Sequence, residues 1–284
     1  MKNKIIIGIG LIFILLPVIF IFKDIIDSGN IFILDYFYGS LKYDKEAWFT
    51  KTDFIAHAGG IYMGKDHTNS KEALELFLYR TEDLDTRVVE LDFLFTSDDK
   101  LVAAHTFYNY GYNSKISYDE FMNSRVLFTP MDFTDVILYM LKNPNLYVMV
   151  DSKVENYDNR SIIDVAKYIM ANSPQSIKDR FIFQLYKPEQ KEEMLKIYDF
   201  KNENLVYSLY KLEEYQYIDD ILKDCYEYKF NVILFSDGYF FPEDLDRLAK
   251  DGIATCTFTI NDYDRKQEII KRKNSLVITD YLFK

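Results

Sequence analysis

At 284 residues the chain is long enough for one large domain or two small ones. It is 49% hydrophobic and 28% charged, the balance of a folded globular protein and not of a disordered one. A net charge of −11 argues against nucleic acid as a partner, since phosphate backbones reward Lys and Arg, and against adhesion to an anionic bilayer through a basic patch.

Residues 5–22 form an uninterrupted apolar run behind Lys2 and Lys4. Eighteen residues at about 1.5 Å each give roughly 27 Å, near the thickness of a hydrocarbon core, and a proline within such a run is tolerable in lipid. The run ends in Lys23-Asp24-Ile25-Ile26-Asp27 with no small-residue cleavage site, so residues 1–27 read as an uncleaved membrane anchor in preference to a signal peptide. The basic residues before it place the amino terminus inside, which makes the protein single-pass with an extracytoplasmic catalytic domain. Residues 28–52 read as an aromatic-rich juxtamembrane connector without a clear period.

Beyond residue 53, short apolar runs alternate with amphipathic stretches. Strands are expected at 54–57, 88–95, 101–105, 147–151, 181–185, 205–209, 232–235, 254–260 and 276–279, and helices at 71–79, 133–141, 162–170, 189–197 and 242–250. Strands alternating with helices build βαβ units and a parallel sheet. Five residues separate Phe95 from Leu101, too few for a parallel crossover, so 101–105 folds back as a hairpin arm. Eight strands remain, the number of a closed (β/α)₈ TIM barrel spanning 53–284. Cys225 and Cys256 make no metal spacing; they are either a disulfide or, as the apolar run around Cys256 favours, buried thiols.

Only three histidines occur, and His57 and His105 both end strand-like runs. Between them, Glu90 and Asp92 in VVELDFLF fall on one strand face, while Val89, Leu91 and Phe93 fall on the other. Two like charges in so apolar a segment are costly unless something positive, most simply a cation, neutralises them. Asp151 and Lys153 in YVMVDSK share a face by the same period. His57, Asp92, Asp151 and Asn261 all fall at or near the carboxyl ends of strands, where barrels of this kind place their sites. Three convergent carboxylates with no cysteine make an oxygen-ligand site suited to one divalent cation, Mg²⁺ or Ca²⁺. Such a cation beside a lysine suits a phosphoryl oxygen, and two imidazoles can act as acid and base around it.

The motifs IAHAGG, TNSKEAL, VVELDFLFTSDDKLVAAH, VMVDSK, TFTIND and VITDY resemble, in order and spacing, those of glycerophosphodiester phosphodiesterases, over about residues 53–282. The resemblance implies a (β/α)₈ barrel that hydrolyses a phosphodiester: a glycerophosphodiester, a phospholipid headgroup or an envelope polymer. It implies acid–base roles for His57 and His105, metal ligation by Glu90, Asp92 and Asp151, and substrate binding by Lys153, Asn69 and Phe258. Asn69 with Glu72 reads equally well as a helix-capping pair. His67 reads as a loop residue.

Four positions depart from the family pattern. Ala58 replaces the arginine after the first histidine, Thr68 a glutamate, Thr106 the aspartate after the second histidine, and Phe258 the usual aromatic of W-T-x-N. Ala58 with Gly59-Gly60 suggests an open surface and a reshaped pocket. The missing arginine beside D-x-K is also similar to the sphingomyelinase D branch, which yields a cyclic phosphate. A barrel that binds a phosphorylated glycan or lipid without turnover is the remaining alternative.

Overall fold

The computed structural model describes residues 41–210 and 217–283. Ten strands follow in chain order: β1 (Phe54–Ala56), β2 (Arg87–Phe95), β3 (Leu101–Ala103), β4 (Met131–Asp132) and β5 (Leu146–Ser152). Then come β6 (Phe181–Leu185), β7 (Leu205–Ser208), β8 (Val232–Ser236), β9 (Ala254–Phe258) and β10 (Ser275–Thr279). Eight of them pair in parallel in the order β1-β10-β9-β8-β7-β6-β5-β2, and β1 pairs with β2 to close the barrel. The expected TIM barrel is therefore present.

The expected hairpin arm is also present. β3 runs antiparallel to the top of β2, with Phe93 opposite Ala103 and Phe95 opposite Leu101. A short strand that the sequence did not announce, β4, pairs antiparallel with β3. This excursion has a small core of its own around Leu94, Val102, Phe107, Tyr110 and Phe121.

Strand alternation separates two cores. Ile55, Val88, Met149, Ile182, Val206, Val232, Cys256 and Leu276 point into the barrel, whereas Leu91, Phe93, Val148, Phe181 and Phe183 point out beneath the helices. Trp48 and Phe49 belong to the inner core. The Trp48 indole N–H donates to the Glu203 carbonyl at 2.9 Å, and the Asp44 amide donates to the Glu203 carboxylate at 3.0 Å. Within residues 41–52, expected to be connector, Ala47, Trp48 and Phe49 thus pack against the inner core. Cys225 and Cys256 are both free and buried.

The expectation of a single-pass membrane protein with an extracytoplasmic domain is corrected. Among the described residues no helix is long and apolar enough to cross a membrane. The apolar run 5–22 and the first part of the connector lie outside the described residues.

Candidate active site

The period of two along β2 and β5 sets the acidic cluster. Asp92 is in register with Asp151 on the neighbouring strand, and Glu90 with Met149 one inward-facing step below. Carboxylate oxygens of Glu90, Asp92 and Asp151 lie within 4.8 Å of one another, and all three residues are buried. The Lys153 ammonium reaches over them, 2.6 Å from Asp151 Oδ2 and 3.3 Å from Asp92 Oδ1. Three buried carboxylates against one lysine leave negative charge in excess. Burial and the neighbouring Asp92 charge accordingly push Glu90 up to about 8, although Ala58 N–H donates to its Oε2 at 2.7 Å. The mismatch is what a divalent cation relieves, and three hard oxygens fit Mg²⁺ or Ca²⁺.

The neighbours hold these ligand candidates in place. Asn69 Nδ2 donates to Asp92 Oδ2 at 2.8 Å while its Oδ1 accepts from Asp92 N–H at 2.9 Å. Asn69 is fully buried, and its amide is paired through both polar atoms with Asp92. It does not cap the following helix, Lys71–Arg80. Ser70 does that, its hydroxyl accepting from Ala73 N–H at 3.2 Å, and Glu72 instead accepts from the Thr129 amide and hydroxyl. The Tyr186 hydroxyl donates to Asp151 Oδ1.

His57 follows β1 directly, and its Nδ1 lies 2.8 Å from Asp280 Oδ1 just past β10. Asp280 is itself fixed: Asn261 Nδ2 donates to its Oδ2, and its own amide donates to Asn261 Oδ1 at 2.9 Å. Burial alone pushes the His57 imidazole down, but the Asp280 hydrogen bond and the Glu90, Asp280 and Asp92 charges outweigh it and raise it to about 9. His105 lies two residues beyond the end of β3, in a bend. Burial lowers its pKa, with Lys153 and His67 adding to that and the Asp92 and Asp151 charges opposing it.

These groups surround one cavity of about 190 Å³ at the barrel mouth. Its wall includes His57, Glu90, His105, Asp151, Lys153 and Phe258, as the sequence led us to expect, so Phe258 faces the site. It also includes His67, Gln184, Tyr186 and Tyr210, which the sequence reading missed. Gln184 and Tyr186 could have been found, because the period of β6 in FIFQLY turns Gln184 inward and Tyr186, one residue past its end, falls on the same side. Asp280 stood in the quoted VITDY without a role. His67 sits on an irregular loop, where no period applies.

The expected open surface after His57 is not observed. Ala58 is completely buried with φ of 47°. A Cβ on Gly60 would come within 3.1 Å of the Phe283 ring.

No family model and no curated protein matches the chain. Solved structures do. A glycerophosphodiester phosphodiesterase from Thermotoga maritima superposes with a TM-score of 0.60 at 18% identity, covering 81% of this chain and 94% of that one. The chain has the glycerophosphodiester phosphodiesterase fold. The enzyme of that name from Parabacteroides distasonis has this fold with a TM-score of 0.56 at 16% identity, over 81% of this chain and 93% of its own. An Oleispira antarctica phosphodiesterase, solved with the product sn-glycerol-3-phosphate, gives 0.61 at 14% identity over 83% of this chain and 95% of its own. The fold thus agrees with the motif resemblance at the level of architecture.

Proposed function

We propose that this chain is a phosphoric diester hydrolase working at the barrel mouth with one divalent cation. The observation that carries the reading is the convergence of Glu90, Asp92 and Asp151 at the cavity that His57 and His105 line. Its support comes also from the fold shared with phosphodiesterases, one of them holding a glycerol phosphate product.

The three carboxylates would hold Mg²⁺ or Ca²⁺, which when bound supplies electrophilic stabilisation of charge on the phosphoryl oxygens. Asn69 keeps Asp92 oriented toward the cluster. Lys153 balances negative charge at its rim and lies where a phosphate oxygen would approach.

His57 is the general acid in this reading. Asp280 lies behind its Nδ1, a hydrogen bond that favours the imidazolium. His105 is the general base, since its burial favours the neutral ring. His105 takes the proton of the attacking water, the water oxygen bonds to phosphorus, the bond from phosphorus to the leaving alkoxide breaks, and His57 gives that alkoxide its proton. If a neighbouring hydroxyl of the substrate attacks instead, the same two residues produce a cyclic phosphate.

For substrate class, the cavity chemistry and the glycerol phosphate of the Oleispira structure favour a glycerophosphodiester. The test is product formation from sn-glycero-3-phosphocholine, sphingomyelin and a glycerol-phosphate polymer, analysed for both linear and cyclic products. Absence of turnover on every member of the panel, with metal present, would leave the chain a binding protein.

A further inference from the structure

We propose that His67 is a ligand of the phosphodiester group, supplying from the loop after β1 a hydrogen bond to a phosphoryl oxygen. The inference rests on the phosphodiesterase reading of the site.

The His67 ring lies edge-on to both acid–base candidates. Its centroid is 4.5 Å from that of His57 at 82° and 5.0 Å from that of His105 at 72°. It also shares their cavity wall with Glu90, Asp151 and Lys153. A phosphorus reached by both His57 and His105 is therefore beside His67 as well. With 33% of its side chain exposed, the ring is neither sealed in the core nor free in solvent. No arginine lines the cavity among the described residues, and Lys153 is already engaged by Asp151 and Asp92. His67 faces the same cavity with a ring nitrogen that makes no hydrogen bond or ion pair to a carboxylate of the acidic cluster. The Asp66 carboxylate sits 3.5 Å from its Nδ1, too far for a good hydrogen bond.

The loop is built to hold the ring there. His67 has φ of 51°, a conformation uncommon for a residue with a side chain. Asn109 Nδ2 donates to the His67 carbonyl at 3.3 Å, and the Tyr110 hydroxyl donates to the Thr68 carbonyl at 3.0 Å. Thr68, Asn69 and Ser70 are buried, and Asn69 is the amide that clamps Asp92. The position of His67 is thus tied through two peptide units to a metal-ligand candidate. An imidazole donates a hydrogen bond whether neutral or charged, so this role does not depend on its titration.

The experiment follows the histidine ring resonances of the full chain by NMR in Mg²⁺ or Ca²⁺ while sn-glycerol-3-phosphate is added. With three histidines in the chain, each ring can be assigned by a single substitution. The His67 resonance should shift with the probe. His67→Ala should weaken probe binding and raise KM about 10- to 100-fold, the worth of one hydrogen bond to a charged group. Its kcat should fall less than that of His57→Ala, and His67→Gln, which keeps a donor, should recover most of the binding. A His67 resonance that stays still, or a His67→Ala protein with wild-type probe affinity and KM, overturns the proposal. Should His67→Ala fail to fold, the wild-type resonance decides. If wild type binds the probe through His67 yet turns over no phosphodiester, the phosphodiesterase reading fails and the ligand assignment stands.

Discussion

Asp280 gives the acid–base assignment a handle at the scale of single residues. Its carboxylate, 2.8 Å from His57 Nδ1, keeps the imidazolium favoured and the ring oriented. If His57 donates the proton, activity falls as pH rises through its pKa. Asp280→Asn removes the stabilising charge, so the alkaline limb of the kcat/KM profile should move to lower pH, while His57→Ala should reduce kcat by about 10²- to 10⁴-fold across the profile. An unmoved limb in Asp280→Asn would detach Asp280 from the mechanism. Metal affinity, measured by calorimetry, should fall in Glu90→Gln, Asp92→Asn and Asp151→Asn. It should fall also in Asn69→Ala, by about 10- to 100-fold, because a freed Asp92 is no longer aimed at the cluster. At Ala58 the surface expected to be open is closed. An arginine there would be forced into a fully buried, left-handed position, so Ala58→Arg should lower Tm and restore no activity.

Single elements show how much of the site was legible. The periodicity of β2 and β5 identified Glu90, Asp92 and Asp151 as convergent because a strand leaves its side chains only two directions. The short link after Phe95 likewise required the hairpin that delivers His105. The barrel closure, by contrast, depends on pairings across the whole chain, and the resemblance supplied what local pattern does not. His67 was unreadable for a related reason, since an irregular loop has no period to exploit, whereas Asp280 continues the inward period of Leu276 and Ile278 one residue past β10. Trp48 and Phe49 were assigned to a connector because one strongly apolar pair makes no pattern, yet both are 2% exposed inside the barrel. Trp48→Ala should therefore cost about 3–5 kcal/mol in denaturant titration, and a chain starting at Lys51 should be destabilised likewise. A truncation of wild-type stability would return the segment to the role of connector.

The helix Gln190–Ile197 makes a separate claim. Lys191 is 2% exposed, and burial pushes its pKa from 10.5 down to about 7. Its ammonium donates to the Lys229 carbonyl at 2.7 Å and lies 4.5 Å from the Phe230 ring centre. Between pH 7 and 10.5 the unfolded chain binds the extra proton, so this group makes stability rise with pH across that window. Below it the full cost of burying the charge is present. Lys191→Met should raise Tm at pH 7, with the gain shrinking toward pH 10, and an equal or lower Tm at pH 7 would contradict this.

At the scale of the whole molecule, the barrel and the acidic cluster make one claim together. The barrel and its hairpin arm bring a carboxylate triad, the His57 and His105 imidazoles and a lysine from four separate stretches of chain to one barrel mouth, and the arrangement is short of positive charge. The most direct measurement is the rate of phosphodiester hydrolysis by the purified chain on sn-glycero-3-phosphocholine, in excess EDTA and again after Mg²⁺ or Ca²⁺ is restored, with Glu90→Gln alongside. The account predicts loss of turnover with chelator, recovery with either cation, and little recovery in Glu90→Gln. A full rate in excess EDTA, or wild-type recovery in Glu90→Gln, would contradict it.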